Sequence, residues 1–421
     1  MLRLRNHLQR IKSMPDRIIL NQQNDIYNYF GDLKINLTKP QEKHLVSLTS
    51  GIIGCSDKRT VSNIVRTMPH QGDRSCSTKF LNDSPWNEAY VNWKRKQYAK
   101  EQIMKVVRYS EKPLFAILDD TINAKDKDSK HIEALGYNYS HSSGKQEWSH
   151  NVMGFHCVAE ELSVPYDYEL YLKKQYCEAK SIEFNSKVDI AVKMLEDFGL
   201  AKEYLTYFLI DSWFTSPKLI YEAFKLGYQT IGALKSNRVF YPQGIRQKLS
   251  EFVQYIEESD LDLVTVNGMK YYLYRYEGKL NKLENAVVLI IWEEKFDKTV
   301  EPKYLLSTDV SLDSQTIIEY YSKRWEIDTS FRYLKDRLGF DHYQMRSLKA
   351  IKRFWLLQYL AYNYIEFYRY RYCKIYCFGN LGEAIDHIKA SNFKTIIDYV
   401  YQCGKDKVDI TAVYKALKLA V

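Results

Sequence analysis

The sequence predicts an α/β protein: a mixed β-sheet with flanking helices, interrupted by a β-rich insertion and preceded by a helical region. Three observations predict this class. Short apolar runs alternate with amphipathic segments between positions 113 and 237, as in α/β sheets. Positions 238–310 carry closely spaced strand patterns and a hairpin signal at Asn267-Gly268. Helical periodicity resumes near Ser314 and continues to the C-terminus.

The composition is that of a folded globular chain. Of 421 residues, 45% are hydrophobic and 27% charged, with only 17 Gly and 9 Pro, which excludes a collagenous, low-complexity or disordered protein. The basic N-terminal stretch has no continuous apolar block, and no run reaches the roughly 18 apolar residues of a membrane helix. The seven cysteines are scattered and form no CxxC pair, which fits a reducing compartment. We therefore expect a cytoplasmic protein without a membrane anchor.

The charge is concentrated in the first quarter of the chain. Positions 1–112 hold 20 basic and 10 acidic residues, a net charge of +10, whereas the remainder carries −1. A helix opened by Ser84-Pro85 carries the basic run Lys94-Arg95-Lys96. A basic helical region joined to a neutral body predicts binding to a polyanion such as DNA.

Two apolar segments of the 113–237 region end in acids. Pro113–Leu118 is followed by Asp119 and Asp120, and Tyr204–Ile210 is followed by Asp211. In an α/β sheet, ligands bind at the carboxyl ends of the strands. Neighbouring carboxylates repel each other unless a cation neutralises them, and Mg²⁺ prefers oxygen ligands. The pair therefore predicts a metal site for phosphoryl transfer.

A third acid lies on a predicted helix. At 3.6 residues per turn, five polar side chains share a stripe about 80° wide: Tyr321, Arg324, Asp328, Arg332 and Lys335. An apolar stripe lies beside it, formed by Ile327, Phe331, Leu334 and Leu338. Glu326 falls on the far side of the helix. Periodicity alone favours a solvated face with intrahelical ion pairs, whereas the two strand-end acids favour the edge of a cleft.

The spacing Tyr321-x2-Arg324-x3-Asp328-x6-Lys335 resembles the Y-x2-R-x3-E-x6-K signature of the DDE transposases of bacterial insertion sequences. In that family the first two acids follow strands, and a β-rich insertion precedes the third. The resemblance covers roughly positions 80–365. It includes three further segments: Ser84-Pro85-Trp86, Leu234–Arg238 and Tyr343–Ser347.

The resemblance implies a ribonuclease-H-like catalytic core. It also implies a DNA transposase that cleaves at element ends and joins them to target DNA by metal-dependent phosphoryl transfer. Two Mg²⁺ ions per site, or Mn²⁺ in their place, would be held by Asp119, Asp211 and Asp328. The implied partners are double-stranded DNA at terminal inverted repeats, target DNA and a second copy of the chain, with no membrane. The implied location is cytoplasmic and nucleoid-associated.

Several other residues are expected to contact DNA. In the signature, Tyr321, Arg324 and Lys335 would hold phosphates near the cut. Trp292 in the insertion would stack on a flipped base, although a place in the core is the simpler interpretation. The remaining candidates are cationic: Arg332, Lys235, Arg238, Lys94, Arg95 and Lys96.

Two features of the acids leave alternatives open. Asp328 stands where the family has Glu, and its side chain is one methylene shorter. The alternative function is therefore a catalytically inactive or domesticated DNA-binding protein derived from a transposase. The first acid is Asp119 by the Asp-x-Thr spacing, or Asp120 as the acid directly before Thr121. Because alternate residues of a strand point to opposite faces, only one of the two should hold metal; we expect Asp119.

The chain divides on these grounds into five regions. They are a basic DNA-binding region (1–112), the first part of the catalytic core (113–237), the β-rich insertion (238–310), the second part of the core with the third acid (311–350) and a C-terminal helical region (351–421).

Overall fold

The structure, a computed structural model, describes residues 23–67, 74–140, 143–199 and 204–417. The described residues fall into two compact units. The first comprises those of Met1–Gln102, Asn123–Ser149 and Ser330–Val421, and the second those of Ile103–Ile122 and His150–Thr329. Both units are therefore assembled from segments distant in sequence. The five regions predicted from the sequence stay a prediction.

The helices and strands alternate as the sequence pattern indicates. The helices are α1 Gln23–Asp32, α2 Lys39–Gly54, α3 Val61–Arg66, α4 Arg74–Asn82, α5 Glu88–Ser110, α6 Lys174–Lys180, α7 Lys187–Phe198, α8 Pro217–Lys225, α9 Leu249–Phe252, α10 Ser314–Ser322, α11 Trp325–Asp336, α12 Leu348–Tyr376, α13 Leu381–Lys405 and α14 Ile410–Ala416. The strands are β1 Leu114–Ala124, β2 Gly136–Ser140, β3 Lys145–Ala159, β4 Leu162–Tyr171, β5 Thr206–Ile210, β6 Gln229–Ala233, β7 Val239–Phe240, β8 Gln247–Lys248, β9 Asp262–Val266, β10 Met269–Leu280, β11 Leu283–Glu293 and β12 Lys303–Ser307.

The first unit has a helical core in which N-terminal and C-terminal helices pack together. Helix α2 contacts α12 and α13, and α4 contacts α12. The long helix α12 is buried along most of its length, from Ala350 to Arg369. Its Arg353 donates hydrogen bonds to the carbonyls of Phe80, Leu81 and Trp86. The N-terminal helices therefore bury their apolar faces against residues more than two hundred positions away.

The second unit is built on a mixed sheet. Strands β1, β5 and β6 are parallel neighbours, and β12, β11 and β10 continue the sheet in antiparallel fashion. On the other side of β1 lies β3, which forms an antiparallel pair with β4. This is the ribonuclease-H-like sheet with flanking helices, and the fold class predicted from the sequence is confirmed.

The segment after β6 forms a hydrophobic core of its own. Strands β7 and β10–β12 contribute Phe240, Leu280, Val288, Ile290 and Leu306 to this core. The hairpin turn between β9 and β10 is Asn267-Gly268, where both residues have positive φ, 51° and 81°, as a type I′ turn requires. Among the helices of the described residues, none is long and apolar enough to cross a membrane.

Candidate active site

Two parallel strands bring Asp119 and Asp211 side by side. Every residue of Leu114–Leu118 and of Thr206–Ile210 is buried, so both strands lie in the interior of the sheet. The register pairs Leu118 with Ile210, and the two aspartates are the next residues along each strand. The sequence predicts that Asp119 ends its strand, but β1 continues to Ala124. Asp119 instead follows the part of β1 that pairs with β5.

Asp211 organises the turn that follows β5. Its Oδ1 accepts hydrogen bonds from the backbone N–H groups of Trp213 (3.0 Å) and Phe214 (2.9 Å). Its backbone carbonyl accepts from the Oγ1 of Thr215 (2.7 Å). A Cβ added at Gly232 of β6 would lie 2.6 Å from that Oγ1. A glycine is therefore needed on the neighbouring strand for Thr215 to close the turn.

Asp119 is a buried carboxylate beside another acid. Its side chain is 17% exposed, and its Oδ1 accepts from the backbone N–H of Asp120 at 2.8 Å. Burial, and then the negative charge of Asp211, raises the pKa of Asp119 to about 7, against the opposing effect of Arg324. A carboxyl group in such surroundings favours an additional positive charge nearby.

Arg324 joins the first acid to the third. Its Nη1 donates to Asp119 at 2.9 Å and its Nη2 donates to Asp328 at 3.0 Å. Burial alone would lower the pKa of Arg324, but electrostatic interactions with Tyr321, Asp328, Asp119 and Asp211 outweigh burial and raise it. Burial also raises the pKa of Asp328, with Arg324 opposing and Asp211 adding to the rise. One guanidinium fork thus holds two carboxylates, while Asp211 acts electrostatically on both.

Tyr321 lies at the same cluster. Its hydroxyl donates to the carbonyl of Ile210 at 3.4 Å, directly before Asp211. Burial raises its pKa to about 12, so the hydroxyl keeps its proton and remains a hydrogen-bond donor. Three residues of the predicted stripe, Tyr321, Arg324 and Asp328, therefore lie with the two strand acids. The single helix predicted for them is wrong, because α10 ends at Ser322 and α11 begins at Trp325.

Asp120 and Glu326 have other partners. Asp120 accepts from Asn151 at 2.6 Å and from the Nζ of Lys187 at 2.9 Å. Glu326 accepts from Ser163 at 2.9 Å. Asp119 rather than Asp120 is bonded to Arg324, as the alternation of a strand requires. Glu326 faces away from Asp328, as its position on the helix predicts.

The acids have the right chemistry for a divalent cation. They offer only carboxylate oxygens, the ligands that Mg²⁺ prefers, and Asp119 and Asp211 repel each other in the absence of a cation. In the described ranges, however, no group of three or more His, Cys, Asp or Glu side chains is arranged to hold a metal ion. Arg324 supplies the compensating positive charge. The acids therefore have suitable ligand atoms for the ion, but they are not already arranged around a metal position.

Two of the expected DNA contacts lie in the interior. Trp292 is 2% exposed, packs in the core of the insertion and donates its indole N–H to the carbonyl of Val300. It therefore presents no face to a base. Arg95 is fully buried and donates to Asn363 at 2.7 Å, so it stabilises the helical core of its own unit. Both expectations fail because a residue type and its neighbours in sequence do not reveal burial.

The other predicted cations are more accessible. Lys94 and Lys96 are half-buried, and Lys235 and Arg332 are exposed. Arg238 donates to the carbonyl of Thr215, beside the Asp211 turn. Lys335 belongs to the first unit and is half-buried, and burial lowers its pKa. Their roles in DNA binding stay predictions.

The sequence analysis did not select two residues of the second unit that lie beside the strand acids, Trp213 and Lys187. Trp213 follows Asp211 by two positions and is 45% exposed. Lys187 is the first residue of α7, where the helix dipole disfavours a positive charge. A lysine directly after the capping Ser186 is therefore unfavourable for the helix, and this is the sequence feature that could have drawn attention to Lys187.

Comparison with known proteins identifies a family for the chain. The model of the DDE superfamily endonuclease family matches residues 28–250, more than half of the chain. The match includes Asp119 and Asp211, and Asp328 lies beyond it. No curated protein matches the sequence. Among solved structures, the chain is similar to the cryo-EM structure of the piggyBac transposase synaptic complex with hairpin DNA. The identity is 11%, the likeness covers 90% of this chain and 77% of that chain, and the TM-score is 0.48. On the strength of the family match, this chain belongs to the DDE superfamily endonucleases.

Proposed function

We propose that this endonuclease is a DNA transposase that cleaves DNA at the ends of a mobile element and joins them to target DNA. The observation that carries the proposal is the pair of hydrogen bonds that Arg324 donates to Asp119 and Asp328, beside Asp211. It unites residues of the Y-x2-R-x3-E-x6-K pattern with the two strand acids. The proposal includes membership of the transposase group of bacterial insertion sequences with this signature, which the spacing of Tyr321, Arg324, Asp328 and Lys335 supports.

Asp119, Asp211 and Asp328 would hold the divalent metal, Mg²⁺ or Mn²⁺, with two ions per site. When bound, the metal supplies Lewis-acid stabilisation of the phosphate and lowers the pKa of water. The contribution of the chain is to hold three acids at one edge of the sheet and to keep Asp119 and Asp211 adjacent by the β1–β5 register.

Arg324 and Tyr321 would act on the phosphate that is cut. A guanidinium group presents donors in a fork that matches phosphate oxygens as well as carboxylates. Arg324 could therefore donate one arm to a phosphate in place of an aspartate. The protonated hydroxyl of Tyr321 would donate to the same group, and Lys335 would hold a neighbouring phosphate.

Binding to the element ends would rest mainly on positions 1–112, which carry a net charge of +10. The cationic candidates are the half-buried Lys94 and Lys96 of α5 and the exposed Lys235 and Arg332. The substrates would be terminal inverted repeats and target DNA. A homodimer would bring two active sites to paired ends, and the protein would act at the nucleoid in the cytoplasm.

A cleavage assay on the DNA that flanks the coding sequence tests the proposal. With Mg²⁺, the protein should cut at the element ends, and chelation should stop cutting. Asp119→Asn and Asp211→Asn should each abolish cleavage. Asp120→Asn is the matched control: it removes the ion pair with Lys187 but none of the bonds of Arg324, so cleavage should persist. Retained cleavage in Asp119→Asn would reject the assigned site.

The second candidate is a catalytically inactive or domesticated DNA-binding protein derived from a transposase. The observation that favours it is Asp328 in place of the Glu of the signature. This candidate predicts binding to the element ends with no cleavage by the wild-type protein in Mg²⁺ or Mn²⁺. The same assay therefore decides between the two.

A further inference from the structure

Trp213 is an exposed aromatic ring held in a fixed position beside the candidate active site. The Oδ1 of Asp211 accepts the backbone N–H of Trp213 at 3.0 Å, and Thr215 closes the turn behind it. The adjacent Phe214 is fully buried and packs edge-on against Trp213 at 4.7 Å between ring centroids. Phe214 therefore anchors the turn in the core. The larger ring of Trp213 is not needed for this packing and remains exposed.

A lysine lies against this ring. The Nζ of Lys187 is 5.1 Å from the centroid of Trp213 and 5.6 Å from that of Tyr171. The same Nζ donates to Asp120 at 2.9 Å. Asp120 directly follows Asp119, so Lys187 links the residue after the first acid to the turn that follows the second. An aromatic–cation pair therefore adjoins both strand acids.

A second lysine extends the surface. The Nζ of Lys173 lies 5.7 Å from the centroid of Tyr171. Burial and then the like charge of Lys187 lower the pKa of Lys173. Two cations thus lie close together, and Asp120 is bonded to one of them, Lys187. We call Tyr171, Lys173, Lys187 and Trp213 the Trp213 platform.

We propose that the Trp213 platform binds an exposed nucleobase of the DNA strand next to the phosphate that is cut. The inference rests on the proposed function, because it places the DNA end at the three aspartates. Aromatic rings stack on bases of any sequence, and neighbouring cations hold the adjoining phosphates. Inside a duplex both faces of each base are covered by neighbours. The base that reaches Trp213 must therefore be unpaired or stand at a DNA end.

The test is the binding of short DNA that carries the fluorescent base 2-aminopurine. Three DNAs are used: a duplex with a single-stranded overhang labelled in the overhang, a blunt duplex labelled in its last pair, and a duplex closed by loops at both ends and labelled inside. Asp119→Asn serves as the background in which cleavage is prevented. Stacking on Trp213 should quench the overhang label, and Trp213→Ala should remove the quenching and weaken binding about 10-fold. Trp213→Phe should retain most of the affinity.

The role of Lys187 is tested by the salt dependence of DNA binding. Lys187→Gln should weaken binding and reduce the slope of log affinity against log salt by about one, since one phosphate contact is lost. Tyr221→Ala is the matched control. Tyr221 is also exposed with a lysine, Lys225, 5.1 Å from its ring centroid, but Lys225 pairs with Glu222 on the same helix. This variant should bind all three DNAs as the background does.

The outcomes separate the inference from the proposed function. If Trp213→Ala loses affinity and quenching only with the overhang DNA, the platform binds an unpaired base. If it loses them with both the overhang and the blunt DNA, the platform binds a terminal base. Equal binding and quenching in Trp213→Ala and its parent overturns the inference, even if the wild-type protein cleaves DNA with Mg²⁺. Equal losses of quenching for all three labels also overturn it, since the label inside the closed duplex is paired and covered by its neighbours. Wild-type protein that neither binds nor cleaves DNA overturns both proposals.

Discussion

Arg324 and Asp119 are 205 positions apart in the chain and are joined by a hydrogen bond of 2.9 Å between Nη1 and Oδ2. The second arm of the same guanidinium reaches Asp328 one helical turn away, at 3.0 Å. The side chain of Arg324 is only 13% exposed. A single cation thus supplies part of the positive charge that three clustered acids require.

The first prediction concerns Arg324 and metal. Arg324→Ala leaves Asp119 and Asp328 without their cation, so the free energy of unfolding in a chelator should fall by about 1–3 kcal/mol. The lower end is expected, because Asp328 is 38% exposed. Adding Mg²⁺ should stabilise the variant more than the wild type, since the acids then lack a competing cation. Thermal unfolding with and without Mg²⁺ measures both effects.

The control for Arg324 is Lys303→Ala. Lys303 forms a surface ion pair with Glu293 at 2.7 Å, with 69% of its side chain exposed. Exposed pairs contribute about 0–1 kcal/mol, so this variant should be almost as stable as the wild type in chelator and in Mg²⁺. An equal response of Arg324→Ala and wild type to Mg²⁺ would show that Arg324 does not compensate a metal site.

The second prediction concerns Asp328. Asp328→Ala should abolish cleavage of DNA ends and leave end binding nearly unchanged, because the cations that we propose for DNA recognition lie elsewhere in the chain. A fall of several orders of magnitude in rate is expected for a residue that acts on the reacting group. Asp328→Glu should also reduce cleavage in a site adapted to Asp, since the extra methylene shifts the carboxylate. In a decayed copy the wild type would be inert, and Glu would restore cleavage.

Glu326→Ala is the matched control on the same helix. Glu326 accepts from Ser163 and has no bond to Arg324. It should therefore retain cleavage at close to the wild-type rate. Cleavage that survives Asp328→Ala but not Glu326→Ala would exchange the two assignments. Rates at saturating DNA with Mg²⁺, together with separate binding curves, provide the comparison.

The sequence contains enough information to bring the acids together. Asp119 and Asp211 each follow a fully apolar run, and parallel strands of that kind meet at one edge of a sheet. The 3.6-residue period places Asp328 and Arg324 on one stripe and Glu326 opposite. These inferences depend on local periodicity, which does not reveal the break between Ser322 and Trp325 that separates Tyr321 from the helix of Asp328. The bond between Arg324 and Asp119 follows from no local pattern.

Burial and long-range partners explain what could not be predicted. Arg95 lies in a basic run that suggests a solvated face, but its partner Asn363 is 268 positions away. Trp292 occupies a strand whose burial depends on the whole insertion. Lys187 and Trp213 come together only when α7 and the Asp211 turn are placed in three dimensions. No periodicity in the sequence connects them.

The third prediction concerns Arg353, which is 1% exposed and holds the loop between α4 and α5. Its donors reach the carbonyls of Phe80, Leu81 and Trp86, and its guanidinium lies 4.4 Å from the ring of Trp86. Arg353→Ala removes the guanidinium donors from all three carbonyls, and among the described residues only that of Phe80 keeps another donor, the indole N–H of Trp86 at 2.9 Å. The free energy of unfolding should fall by about 3–5 kcal/mol. Urea unfolding provides the measurement.

Lys349→Ala on the same helix is the control for Arg353. Its side chain is exposed, and surface substitutions usually change stability by about 0.5 kcal/mol or less. A loss below about 1 kcal/mol for Arg353→Ala would mean that water replaces the guanidinium at the three carbonyls. The loop between α4 and α5 would then not depend on α12.

The last prediction concerns His156 and acid. His156 is buried in β3, its Nε2 lies 2.8 Å from the Oγ of Ser163, and its Nδ1 has no hydrogen-bond partner among the described residues. Burial lowers its pKa to about 3, whereas an unfolded histidine titrates near 6.5. Between these values the unfolded chain binds a proton that the folded protein does not. The contribution to stability is therefore complete above about pH 6.5 and falls by roughly 1.4 kcal/mol per pH unit down to about pH 3.

His156→Gln tests this sign, because the amide can still reach Ser163 but carries no ionisable group. The variant should lose less stability than the wild type between neutral and mildly acidic pH, by roughly 1.4 kcal/mol for each unit below the unfolded pKa. Urea unfolding at several pH values gives the two slopes, and carboxylates contribute equally to both. His131→Gln, at an exposed position, should keep the wild-type slope. Identical slopes for His156→Gln and wild type would show that His156 takes up its proton in the folded protein, and β3 would have to admit water around it.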